Sequence, residues 1–192
     1  MTLYPVQSTS RFVRGTKGGK TRLGLIVWYE HAPALGTNTA ILAATTLDAL
    51  TATLITTGIT QPDVPRVVLV KGNAAGIAGT VLIEGSDSNG TLISETLTLN
   101  GTAAVGGTLA FAHVRRITLP IRTASGNTVS VGTGNVLGLW HALAADVRLV
   151  TTFNDADDLG TLAIDATDVS KNLFTPAGTL NGAKVLRILY VI

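Results

Sequence analysis

The sequence contains no cysteine, which excludes disulfides, thiol nucleophiles and thiolate metal ligands and leaves any assembly to non-covalent contacts. It is also poor in charge. Charged residues are 14% of the chain, against about 25% in an ordinary soluble domain, so Thr, Ser, Asn and Gly must clothe the surface. Such a surface suits packing against other proteins. Aromatic residues are only 5%, thin provision for the exposed rings on which sugars stack. No apolar run approaches the ~20 residues of a membrane-spanning helix, since the longest, 23–29 and 185–192, are of strand length. The opening residues also lack the 7–15-residue apolar stretch of an export signal, so the expectation is a mature protein starting near Met1.

What charge there is lies unevenly. Of 14 basic residues, five (Arg11, Arg14, Lys17, Lys20 and Arg22) fall within twelve positions, and no acid precedes Glu30. Residues 1–24 therefore read as a basic arm, with Tyr4, Val6, Phe12 and Val13 as its few apolar anchors. Gly15, Gly18 and Gly19 interrupt it, and neither a period of two nor one of 3.6 runs through it, so the arm is expected to stay extended or disordered until it meets a partner. Residues 25–192 read as one β-sandwich domain, near charge balance with 9 basic and 12 acidic residues.

The body is a succession of strand and turn signals. Residues 23–29 form an apolar run that His31-Ala32-Pro33 ends, because proline removes a ladder donor. Residues 41–60 carry helix-tolerant Ala and Leu but also many β-branched threonines, which favour strand. Pro62 and Pro65 lead into a valine-rich strand over 66–71, and 72–79 is a loop. Residues 80–84 and 91–99 flank 85–90, where Asn89 and Gly90 offer the positive φ of a reversing turn. In the second arm of this hairpin, Ile93, Glu95, Leu97 and Leu99 oppose Leu92, Ser94, Thr96 and Thr98, so a mainly aliphatic face goes to a core. Further strands are expected over 111–119, 128–131, 136–140, 147–153, 159–164 and 184–192. Turn signals every 8–12 residues without a long amphipathic helix mean an all-β fold, a β-sandwich with jelly-roll or immunoglobulin-like topology as alternatives.

Residues that invite chemistry each have a plainer reading. Gly18-Gly19-Lys20-Thr21 resembles the end of a phosphate-binding loop, but Arg14 stands where its first glycine belongs and no buried strand precedes it. His31, His113 and His141 are widely separated and lack acids at ligand spacing. Asp155, Asp157 and Asp158 could ligate calcium, yet the acceptors of an EF-hand loop do not follow, so a solvated turn after Phe153 is the better reading. No serine sits in a nucleophile elbow, and no carboxylate pair is marked for glycoside hydrolysis. The expectation is a non-enzymatic protein with no cofactor, metal or nucleotide. Nucleic acid is not an expected partner either, because the arm holds one aromatic, Phe12, and the body has no basic excess.

A longer pattern points further. Thr57-Gly58-Ile59-Thr60-Gln61-Pro62-Asp63-Val64-Pro65-Arg66, then Lys71-Gly72-Asn73-Ala74 and Gly76-Ile77-Ala78-Gly79, resembles a recurrent pattern in structural proteins of tailed-bacteriophage virions. Ile93-Ser94-Glu95-Thr96-Leu97, Leu99-Asn100-Gly101-Thr102, Phe111, Ile117-Thr118-Leu119-Pro120, Val129-Ser130-Val131-Gly132, Leu137-Gly138-Leu139 and Asn181-Gly182 continue it in order. The resemblance runs from about residue 37 to the end and departs at Trp140, where proline is expected. It implies a minor, head-decoration protein with β-sandwich architecture and no catalytic residues. Its partners would be the phage major capsid protein and further copies of itself, favouring a homotrimer, on the capsid exterior of a virion assembled in the host cytoplasm. Arg11, Phe12, Arg14, Lys17, Lys20 and Arg22 are the candidate contacts to the shell or a neighbouring subunit. A tail, baseplate or receptor-binding module and a cell-wall-degrading enzyme are the competing classes.

Overall fold

The structure, a computed structural model, describes the backbone of residues 11–17 and 20–192 and the side chains from residue 24 onward. Fifteen strands are described: β1 Arg11–Lys17, β2 Lys20–His31, β3 Leu42–Thr46, β4 Thr53–Ile55, β5 Arg66–Gly72, β6 Thr80–Ser86, β7 Leu92–Thr98, β8 Val105–Phe111, β9 His113–Leu119, β10 Thr128–Gly138, β11 Arg148–Phe153, β12 Ala156–Asp157, β13 Thr161–Ala163, β14 Leu173–Thr175 and β15 Leu186–Val191. One 3₁₀ turn, Val169–Lys171, is capped by Asp168. The fold is all-β, and all pairing is antiparallel. No described helix is long and apolar enough to cross a membrane.

The strands make three sheets: β1-β2-β15-β11-β12 in the first, β13-β14-β10-β5-β8 with β3 also on β10 in the second, and β4-β9-β6-β7 in the third. The second and third sheets face each other across an aliphatic core. Val68 and Val70 of β5, Val129 and Val131 of β10 and Phe111 of β8 meet Val81 and Ile83 of β6, Leu97 of β7 and Ile117 and Leu119 of β9. The first sheet packs separately, with Val27, Tyr29, Leu186, Ile188 and Tyr190 against Leu137, Leu139, Phe174 and Val64. The long β10 belongs to both cores. Burying each large aliphatic or aromatic side chain contributes about 1.5–3 kcal/mol, so these two clusters carry the fold.

Local chemistry explains the elements. The β6–β7 hairpin turns through 87–91, where the buried Asp87 carboxylate accepts from the Asn89 and Thr91 amides and Gly90 alone takes positive φ, 80°. Leu97 and Leu99 point into the core while Leu92, Ser94, Thr96 and Thr98 face out. Glu95 breaks the alternation because its carboxylate crosses to β8, accepting from the Thr108 amide and hydroxyl at 2.5 and 2.9 Å. Residues 41–60 are strand and loop without helix, as their threonines favour.

Several boundaries differ from the sequence reading. The strand expected over 111–119 is β9, which starts at His113; Phe111 instead ends a separate strand, β8, across a break at Ala112, and Gly106 and Gly107 hide β8 because they carry no side chain to mark the alternation. The strands expected over 128–131 and 136–140 are one, β10, whose registers with β3 and β5 shift at irregularities. The arm also differs from expectation, since β1 pairs with β2 from Arg11↔Ile26 to Lys17↔Lys20. Its mixed sequence hides the strand because each residue answers to a cross-strand neighbour and not to its own period. Strand β2 runs unbroken through residues 24 and 25, so arm and body share it. Tyr4, Val6, Gly18 and Gly19 lie outside the described residues.

Candidate interaction surface

The first sheet turns alternate residues inward and outward, and the outward set forms rows across the strands. Register places Glu30 opposite Arg187, Arg187 opposite Thr152, and Thr152 opposite Asp157. The next row joins Trp28, Leu189 and Val150. The third joins Ile26 to Val191 on one side and Arg11 of the arm on the other. A charged row thus borders two apolar rows, at the root of the β1–β2 ribbon.

The apolar rows are open. Trp28 is 45% exposed and Val150 50%, and Leu149 beside it is 55% exposed because β11 slips by one residue between Arg148 and Val150. Such a slip places two consecutive residues against one on the partner and turns an extra side chain outward. Trp28, Val150, Thr152, Asp155, Arg187 and Leu189 line a shallow depression of about 320 Å³. Gly24, on the same face as Ile26, lies beneath Val191; a Cβ there would sit 2.5 Å from Val191 Cγ1, so glycine lets the two strands close. Buried faces explain the opposite side: Tyr29, Leu186, Ile188 and Tyr190 are almost fully enclosed.

The charged row is internally tied. Arg187 bonds Glu30 at 3.2 Å and also Asp155, and Glu30 accepts from the Trp28 indole N–H at 2.7 Å, which fixes the ring over the depression's edge. Asp155 raises the Arg187 pKa above its usual value, Glu30 adding to the effect. Asn154 and Asp155 both take positive φ, 54° and 63°, and form the two-residue link between β11 and β12. Right-handed twist favours that geometry in tight hairpins, and Asn and Asp tolerate it.

The acidic cluster is dispersed by this arrangement. Asp155 meets Arg187, Asp157 joins the outward row, and the buried Asp158 accepts from the Ala177 and Gly178 amides at 2.9 and 3.0 Å. Each carboxylate is committed in a different direction, and no group of three or more potential metal ligands occurs among the described residues. The histidines are likewise separated. His31 lies against Tyr29 and Trp140, His141 Nδ1 meets the Tyr190 hydroxyl at 2.9 Å, and His113 is exposed on β9.

Comparison of the chain with protein-family models, curated proteins and solved structures finds no match to any of them. The surface must be read from its own residues. Of the contacts expected from sequence, Arg11, Phe12, Arg14 and Lys17 stand on β1 and Lys20 and Arg22 on β2, all within one ribbon. Their side chains lie outside the described set. Sequence reasoning missed Trp28, Leu189 and Val150. The signal existed in the unusually apolar runs 23–29 and 185–192, which are too apolar for strands with one wet face.

The motif from Gln61 to Arg66 has a structural role. The Gln61 amide pairs with both backbone groups of Val114, at 2.8 and 3.0 Å. Asp63 accepts from the Ala34 amide at 2.7 Å and bonds Arg66 at 2.9 Å, while Arg66 donates to the Ala34 carbonyl at 3.0 Å. Burial lowers the Arg66 pKa, opposed by Asp63. This segment fastens the 32–40 loop to the body.

Proposed function

We propose that the chain is a structural, non-enzymatic protein of a tailed-bacteriophage virion, a decoration protein that binds the outside of the capsid shell. The observation that carries this reading is the open apolar face of the first sheet beside the basic ribbon, on an all-β scaffold with few surface charges. Isolated exposed hydrophobics are ordinary, but contiguous rows bordered by charge mark a protein-binding surface. The sequence resemblance supplies the virion setting and the major capsid protein as partner. Repeated copies on a shell make individually weak contacts collectively strong, which fits a small contact surface. Arg11, Phe12, Arg14, Lys17, Lys20 and Arg22 form the binding element, and their charge makes attachment sensitive to salt over about 8–10 Å of screening length.

The test is direct. Purified shells lacking this protein are mixed with it, pelleted and imaged. Regular added density on the outer surface, reduced by high salt, is the expected outcome. Density confined to the tail or baseplate, or none on intact virions, overturns the decoration reading.

A further inference from the structure

We infer that the outward face of the first sheet is the receptor for the basic ribbon of a second copy of this chain, so that copies join ribbon to face. This deepens the reading of the ribbon as a binding element and names its immediate partner.

Three observations lead there. The face is apolar at its centre and acidic along the border away from the ribbon: Ile26, Trp28, Leu189, Val150 and Val191 lie beside Glu30, Asp155 and Asp157, three carboxylates that share the one guanidinium of Arg187, while Arg11 stands at the opposite border, where the face meets its own ribbon. The ribbon is its complement, with five cations, no carboxylate and one aromatic, Phe12. Opposite net charge steers such surfaces together and fixes their register, while the apolar centre provides the burial.

The ribbon also requires support. The ladder between β15 and β2 extends only to Leu25, whose backbone exchanges two 2.9 Å bonds with Ile192. Among the described residues, 20–24 and their β1 partners therefore have no third strand beside them, over about 16 Å at ~3.3 Å per residue. A lone two-stranded ribbon is marginally stable in water and gains from packing on a surface. Its own sheet cannot provide that surface, because β1 and β2 are members of the first sheet and a strand does not lie across the face of the sheet that contains it. A second copy can. Such a contact is head-to-tail, so it closes into a ring or is exchanged reciprocally between two copies.

The experiment measures mass in solution by light scattering, without any shell. The full chain is expected to be oligomeric. Reversing the face with Asp155→Lys and Asp157→Lys should weaken association by about tenfold or more, as should reversing the ribbon with Arg14→Glu and Lys17→Glu. Combining both reversals in one chain, or mixing the two reversed proteins, should restore association. Val150→Asp, at an exposed position, provides a second disruption, and circular dichroism on every variant checks that the sheets persist. In a Trp140→Phe background, Trp28 fluorescence should shift to the blue on association. A chain that stays monomeric at all concentrations, or an oligomer indifferent to the face substitutions, overturns the inference. A protein that decorates shells yet stays monomeric, or whose oligomer ignores the face substitutions, would overturn it while leaving the decoration reading intact, whereas ribbon-to-face oligomers that ignore every shell would do the reverse.

Discussion

The two cores of this molecule are built from different chemistry. Between the second and third sheets the buried groups are Val, Ile, Leu and one Phe, with the Asp87 carboxylate satisfied in its turn and one Glu95 carboxylate oxygen bonded to Thr108 while the other is buried without a partner among the described residues. Beneath the first sheet, by contrast, Tyr29, His31 and Trp140 meet ring to ring and His141 meets Tyr190, with the Arg66–Asp63 pair close to Tyr29 and His31. There the Tyr29 hydroxyl, His31 Nε2 and Arg66 Nε are buried without a hydrogen-bond partner among the described residues. An aliphatic core derives its stability from packing alone, whereas the aromatic joint also depends on protonation and on one ion pair. The joint is therefore the adjustable half.

Breaking the aliphatic side should have the largest effect. Leu97 is buried opposite Val81, so Leu97→Asp places a carboxylate in the dry core and should cost at least about 4 kcal/mol, enough to unfold or aggregate the protein. Urea unfolding or expression in the soluble fraction reads this out, and a wild-type midpoint would mean that β7 faces the other way.

The joint should respond next. Arg66→Met leaves the 32–40 loop without its carbonyl partner and Asp63 without its cation, an expected loss of about 3 kcal/mol. At this chain length that corresponds to a melting temperature lower by roughly 6–12 °C. Because Arg66 is buried and Asp63 partly exposed, Asp63→Asn strands a buried guanidinium without its counter-charge and should cost at least as much as removing the arginine, and thermal melts of the two variants test that order.

Acid should distinguish the cores without any substitution. Burial holds the pKa values of His31 and His141 below their ordinary 6.5, for His31 against the pull of Asp63 and Glu30. The folded state then binds fewer protons than the unfolded one, so stability is full above the ordinary value and falls as pH drops below it toward the lowered folded values. Melting temperature should decline on this limb, and His31→Phe with His141→Gln should flatten it. Asp146, Asp165 and Asp168, whose pKa values are lowered chiefly by hydrogen bonds, act in a separate window below the usual carboxylate range. A profile unaltered by the histidine substitutions would place the sensitivity elsewhere.

The smallest effect is expected at the β11–β12 link. Asn154→Val forces a β-branched residue to positive φ and should cost about 1–2 kcal/mol, while Asn154→Gly should be near neutral. Differential scanning calorimetry separates these.

Legibility in the sequence follows the same division. The β6–β7 hairpin, the β5 strand and the closing strand were readable because each obeys a local rule: turn residues, valine content or an apolar run. Strand β8 was not, since Gly106 and Gly107 erase its alternation, and neither were β12 and β14, which are only two and three residues long. The arm's charge was legible, but its pairing was not, because the partner of Arg11 is Ile26 and no local pattern links them. Trp28, Leu189 and Val150 come from three strands, the first of them more than a hundred residues before the other two. Only register assembles them into a surface.

The continuity of β2 has a mechanical consequence. Residues 20–25 belong to the ribbon, and 26–31 hold six register positions against β15, with Tyr29 anchored in the aromatic joint. Antiparallel hydrogen bonds stand perpendicular to their strands, so tension applied to the ribbon along β2 loads the whole β15 ladder in shear instead of opening it one bond at a time. A β7 edge pulled sideways would peel; a ribbon pulled lengthwise drags on the body as one unit. Whatever holds the ribbon thus transmits its load straight into the molecule's interior.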